Sequence, residues 1–175
     1  MSQSPIVNPQ SSIADRPNWD SYLSALAVLG ATRSHDPETK HGAVIVDRDH
    51  RILGQGYDGL PRGGDESRYP MTRPDKYPYM VHAELNAILN CSHRPEGGTI
   101  YVTGCPCTRC MLTIIQAGLV RVVYGNLSSD SVDSDEQAGV ALLARDHHIE
   151  LVHYKNPPLV PLITAIELLG VKVET

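Results

Sequence analysis

Two short stretches carry side chains able to do chemistry together: His82-Ala83-Glu84 and Pro106-Cys107-Thr108-Arg109-Cys110. Thiols at i and i+3 share one face of a helix, so Cys107 and Cys110 face a common point. A helix N-terminus lowers a thiol's pKa, which favours the thiolate that binds zinc. His82, from a second helix, adds a third donor and leaves one tetrahedral position open. Three protein ligands plus water is the pattern of a catalytic zinc ion; a structural site uses four. Zinc brings the pKa of such a water towards about 7. Glu84, two residues past His82, does not share its direction towards the metal. It stands beside the water instead, where a carboxylate can take a proton and return it. A structural zinc knuckle is the competing reading of Cys-x-x-Cys, and it has no use for a proton shuttle at Glu84. A fourth thiolate from Cys105 would close the open position, so Cys105 and Cys91 read as small buried apolar residues. His147, His148 and His153 have no metal-ligand spacing.

The elements that must position this set follow from patterning. Residues 19–34 place Tyr22, Leu23, Leu26, Ala27 and Leu29 on one helical face, with Pro17 in a first turn that tolerates proline. Residues 43–46 and 51–57, with a polar turn between them, read as a hairpin. Residues 58–79 are rich in Gly, Pro and charge, too long for an idle connection. Helices are expected over 81–91, from Pro106 to Ala117 with Gly118 closing it, and over 135–145. Strands are expected over 99–103, 119–124 and 149–154. Prolines 157, 158 and 161 separate these from a terminal helix over 162–169. Strands alternating with helices imply an α/β sandwich with a partly parallel sheet.

The 175 residues fit one domain, 17–175, preceded by a mobile Ser/Pro/Gln-rich tail, 1–16. That start lacks the basic and apolar runs of a signal peptide, so a cytoplasmic location is expected. No stretch approaches ~18 consecutive apolar residues, which argues against a membrane span. The formal net charge of −5 argues against a broad nucleic-acid contact, which needs clustered Lys and Arg. Four cysteines without a secretory signal point to metal binding rather than disulfides. Ser128 to Asp135 reads as a solvated loop, and Tyr79 and Tyr124 as core or rim residues.

His-x-Glu followed by Pro-Cys-x-x-Cys is the known signature of zinc-dependent base deaminases. Over about residues 19–154 the chain resembles the deoxycytidylate (dCMP) deaminase family. The matching stretches are Arg33-Ser34-His35-Asp36-Pro37, Gly42-Ala43-Val44-Ile45-Val46, Gly56-Tyr57-Asp58-Gly59-Leu60-Pro61, Lys76-Tyr77-Pro78-Tyr79, His82-Ala83-Glu84-Leu85-Asn86-Ala87-Ile88 and Ile115-Gln116-Ala117-Gly118. The zinc motifs fit the whole superfamily; the Arg33 segment, the Gly56 loop and Asn86 point to the nucleotide branch. The resemblance implies a cytidine deaminase-like three-layer α/β/α sandwich with a mixed central sheet. It implies hydrolysis of dCMP to dUMP and ammonia with Zn2+, in a homohexamer. It further implies activation by dCTP and inhibition by dTTP, with Mg2+ accompanying the triphosphate effector.

On that resemblance Glu84 is catalytic, and His82, Cys107 and Cys110 hold the metal. His41, Asp58, Ala83, Asn86 and Arg33 would meet substrate, with Arg33 and Lys40 the candidates for its phosphate. Gly56, Tyr57, Gly59, Pro61 and Arg62 would meet the effector. Asn86 lies four residues after His82 on the same helix face; it reads equally as a substrate contact or a member of a buried polar network. The family usually has Val where this chain has His41, and in the wider superfamily that side chain packs over the target base. It usually has Asn where this chain has Asp58, at a position resembling the one that meets the sugar hydroxyl. Asp accepts from a hydroxyl but cannot donate. These two positions keep other readings open: deamination of a modified cytosine nucleotide, of dCTP or of another base. A non-catalytic zinc-containing nucleotide sensor is the alternative outside enzymes.

Overall fold

The computed structural model describes residues 17–126 and 134–155. The expected tail 1–16, the terminal helix 162–169 and most of the loop 128–135 lie outside the described residues. Asn18 opens the fold by accepting the Ser21 N–H at 2.8 Å, so the first helix, α1, runs Trp19–Ala31. Pro17 therefore stands before the cap and not in the first turn. The helix stops at Ala31 rather than at 34. Beyond it the chain turns on side-chain bonds: Asp36 N–H donates to Ser34 Oγ, and the Glu38 and Thr39 N–H groups donate to Asp36 Oδ1. Short polar side chains that bond nearby backbone end helices in this way.

Strands β1 (Gly42–Val46) and β2 (Ile52–Tyr57) form the expected hairpin. The long loop that follows carries two 3₁₀ turns, Glu66–Arg68 and Tyr77–Tyr79. Then come α2 (Ala83–Leu89), β3 (Thr99–Val102), α3 (Thr108–Ala117), β4 (Arg121–Tyr124), α4 (Ser134–Asp146) and β5 (Glu150–His153). The sheet order is β2-β1-β3-β4-β5. β1 is antiparallel to β2 and β3, whereas β3, β4 and β5 are parallel. The crossovers α3 and α4 supply the long connections that parallel neighbours need.

Every residue of β1 is buried, because helices cover both faces of the sheet. Ala43 and Ile45, with Ile100, Val102 and Val122, pack on Ala83, Ala87, Met111, Ile114, Val140 and Ala144 of α2, α3 and α4. The alternate residues Val44, Val46, Tyr101 and Val123 pack on Leu23 and Ala27 of α1. This is the three-layer α/β/α sandwich with a mixed sheet. Gly56 allows α2 to lie close: a Cβ there would fall 2.3 Å from both Ala83 O and Ala87 N. Gly118 ends α3 at φ 83°, a left-handed cap that glycine takes at no steric cost.

Candidate metal and active site

Two helix starts converge at one point. His82 is the N-cap residue of α2, and Cys107 is the N-cap of α3, where its Sγ accepts the Cys110 N–H. Both expected helices are thus shorter at the start than their patterning suggested, and the residues removed from each helix include a donor. His82 Nδ1 lies 3.6 Å from Cys107 Sγ and 3.3 Å from Cys110 Sγ. All three donor atoms fall within 4.8 Å of one another. Zinc–sulfur and zinc–nitrogen bonds of about 2.3 and 2.0 Å set neighbouring tetrahedral donors about 3.5–3.8 Å apart. The residues therefore fit the ion in chemistry and in spacing.

The electrostatics agree. A hydrogen bond from the Cys110 thiol, aided by the His82 imidazole, pulls the Cys107 thiol down to about 4. Its bond to Cys107 raises His82 to about 9, and the same thiolate holds the Cys110 proton on. The one thiolate, Cys107, stands where α3 begins, the positive end of a helix dipole. His82 opens to solvent through the cavity, yet protein surrounds the rest of its ring.

Glu84, one residue into α2, is 5% exposed. Burial pushes its carboxyl above the ordinary range, against the pull of its own N–H and of His82. It shares with His82, Ala83 and Cys107 the lining of a cavity of about 210 Å³. The cavity opens beyond the carboxyl end of β3, where Gly104 and Cys105 also line it. Cys105 is no ligand of the compact donor set; burial pushes its thiol up to about 11.

His41 and Asp58 line the same cavity. The His41 ring is held through Nδ1 by Thr103 Oγ1 at 3.2 Å. The Asp58 carboxylate accepts the His41 backbone N–H at 2.7 Å. Asn86 does not reach the cavity: its Nδ2 donates to Tyr57 O at 2.7 Å, tying α2 to the end of β2. Arg33 is exposed and lines no part of it, and neither does Lys40, whose Nζ donates to Ser34 O. Gly59 is buried and bridged to Val81, Gly56 lies under α2, and exposed Arg62 donates to Asn90 Oδ1 at 2.6 Å.

Sequence reasoning missed Thr39, Arg73, Lys76, Tyr77 and Met80, which complete the wall. Lys76 is the most deeply placed of these. Its Nζ lies 2.7 Å from both Asp36 carboxylate oxygens and 2.9 Å from Glu38, with the side chain 2% exposed. For Arg73, Lys76 and Tyr77 the signals were the length of the loop 58–79 and the matching stretch Lys76-Tyr77-Pro78-Tyr79, neither of which gives a role; Thr39 and Met80, outside that loop, carried no signal.

The model of the cytidine and deoxycytidylate deaminase zinc-binding region matches residues 17–126. Deoxycytidylate deaminases of Pongo abelii and Homo sapiens are each 41% identical to the chain over 132 residues, 71% of this chain and 73% of theirs. The crystal structure of the dCMP deaminase from cyanophage S-TIM5, in complex with dCMP and dUMP, aligns with a TM-score of 0.63 at 26% identity, covering 75% of this chain and 93% of that one. The family match includes both converging helix starts and all three donors, and so this chain belongs to the zinc-binding cytidine and deoxycytidylate deaminase family.

Proposed function

We propose that the chain converts dCMP to dUMP and ammonia, by hydrolysis at the cavity that holds His82, Cys107, Cys110 and Glu84. The observation that carries this reading is the open three-donor set beside a buried carboxylate in one cavity. Kinship with deoxycytidylate deaminases supports the choice of nucleotide.

His82, Cys107 and Cys110 would hold zinc, which when bound makes water nucleophilic near neutral pH. Glu84 does the proton work. Its carboxylate takes a proton from the attacking water and delivers it to N3 of the ring. It then takes the remaining proton from the hydroxyl added at C4 and passes it to the amino nitrogen, so that the C4–N bond breaks, ammonia leaves and the C4 carbonyl forms. Burial that raises its pKa suits it to hold a proton between these steps. Ala83, Val102 and Met80 supply apolar wall that limits water around the base. Asp58 acts through His41, whose backbone it fixes.

A second reading rests on His41. A planar imidazole in the cavity can stack on a base and offer one hydrogen bond where Val offers only contact, which suits a modified cytosine or another base. Turnover of a panel holding dCMP, dCTP, 5-substituted dCMP and dAMP, followed by absorbance and ammonia release, separates the two. Preference for dCMP supports the first reading; preference for another member replaces it.

The same proposal treats residues 17–175 as one catalytic domain working on free nucleotides in the cytoplasm. It includes a homohexamer whose activity rises with dCTP, carried with Mg2+, and falls with dTTP, with the Gly56–Arg62 region as the effector contact. An effector must bind active and inactive states with different affinity. Flat activity across titrations of both nucleotides at subsaturating dCMP rejects that part alone.

A further inference from the structure

We propose that α4 is part of the metal site: Glu136 and Gly139 seat Thr108, and through it hold Cys107 and Cys110 in the geometry that binds zinc. Glu136 is then a positioning residue, acting through the backbone of α3. This rests on the reading that His82, Cys107 and Cys110 hold the ion. α4 lies outside both motifs that carry the donors.

Thr108 is the first residue of α3 and directly follows Cys107. A helix leaves its first N–H groups without partners of its own. Here the Cys110 N–H goes to Cys107 Sγ, within the metal set, while the Thr108 N–H donates to Glu136 Oε1 on another helix. A carboxylate suits that place, because α3 presents the positive end of its dipole there. The bond fixes the plane of the peptide that joins Cys107 to Thr108. Turning that peptide, and with it the Cys107 thiol, would break the bond.

Gly139 makes an independent contact. It lies three residues after Glu136, on the same face of α4. A Cβ there would fall 2.8 Å from Thr108 Cγ2, closer than unbonded carbons approach, so the Thr108 methyl rests against bare backbone. Farther along that face, Val140 and Ala144 are buried against Met111 and Ile114 of α3. The seat under Thr108 is therefore built on a helix that the core holds in place. Groups that support metal ligands from behind orient them, and losing one costs about 10- to 100-fold in metal affinity or activity.

The experiment compares wild type, Glu136→Ala, Glu136→Gln, Gly139→Ala, and Gly139→Ala combined with Thr108→Ser. Zinc affinity comes from competition with a chromogenic chelator, ligand geometry from the absorption spectrum of the cobalt-substituted proteins, and global stability from urea denaturation. Glu136→Ala should bind zinc about 10-fold more weakly, the lower end of that range because the support acts through backbone, and its cobalt spectrum should shift. Glu136→Gln keeps an acceptor at the same reach and should recover most of the loss. Gly139→Ala should also weaken zinc binding, although alanine is the better helix former, and removing the Thr108 methyl in the double variant should restore it. Unchanged affinity and spectrum in either alanine variant overturn the proposal. So does a lower urea midpoint with both metal readouts unmoved, which makes these contacts ordinary packing. Equal losses in Glu136→Ala and Glu136→Gln overturn it too, since the charge and not the bond would then matter. Should Glu136→Ala fail to fold, the Gly139 pair decides: a loss that Thr108→Ser does not rescue overturns the seat. A wild type that takes up no zinc contradicts the metal reading itself, and the proposal with it.

Discussion

His82 comes from the start of α2, and Cys107 and Cys110 both come from the start of α3, with no fourth donor in the set to replace one that is lost, so single losses should be severe. Cys110→Ala removes a ligand from a three-donor site. Purified variant should carry little zinc by elemental analysis, against about one per chain for wild type. Glu84→Gln keeps the side chain's shape but removes the proton acceptor. It should retain zinc and fold while turnover of dCMP falls at least ~10²-fold, the lower range for lost general acid–base help. His41→Val separates the two substrate readings. Because the ring lines the cavity against Thr103, the variant should shift the kcat/KM ratio between dCMP and a base-modified dCMP. An unchanged ratio would leave His41 a bystander.

At the scale of elements, the site depends on two packing devices. Asp36 and Lys76 join the loop after α1 to the loop that walls the cavity. Both side chains are out of contact with water but lie under thin cover, close to the surface. Lys76→Met strands the Asp36 charge, and removing one partner of a buried pair costs about 3–5 kcal/mol; the thin cover favours the lower end. Urea denaturation of the zinc-loaded variant checks this. Gly56→Ala drives a Cβ into Ala83 O and Ala87 N. The overpacking should cost about 1–3 kcal/mol and speed zinc release to a chelator, because α2 begins at His82. The order and type of elements were legible in the sequence, since Ala43–Val46 and the helix faces have clear periods. Helix ends were less so. Asn18 and Cys107 cap their helices through the side chain, whereas His82 stands at the N-cap position with no side-chain bond, and local geometry rather than periodicity decides such ends. The donors and Glu84 were legible because their spacing is short and chemical. Lys76 and Arg73 were not. Their partners Asp36, Glu38 and Thr39 lie some 34 to 40 positions away in the chain, and only the fold brings them together.

For the molecule as a whole, the account makes zinc the condition for activity and dCMP the substrate. The sheet places the end of β3, two helix starts and the loop wall around one cavity. No other group of three or more metal-ligating side chains is as compact among the described residues. The most direct test is the conversion of dCMP by protein stripped with a chelator and then titrated with zinc, with dUMP and ammonia both quantified. The account predicts no turnover in the stripped protein. It predicts equal molar yields of dUMP and ammonia as zinc is restored, saturating at about one ion per chain. Full activity in protein shown to be zinc-free, or no dUMP from fully zinc-loaded protein, would contradict it.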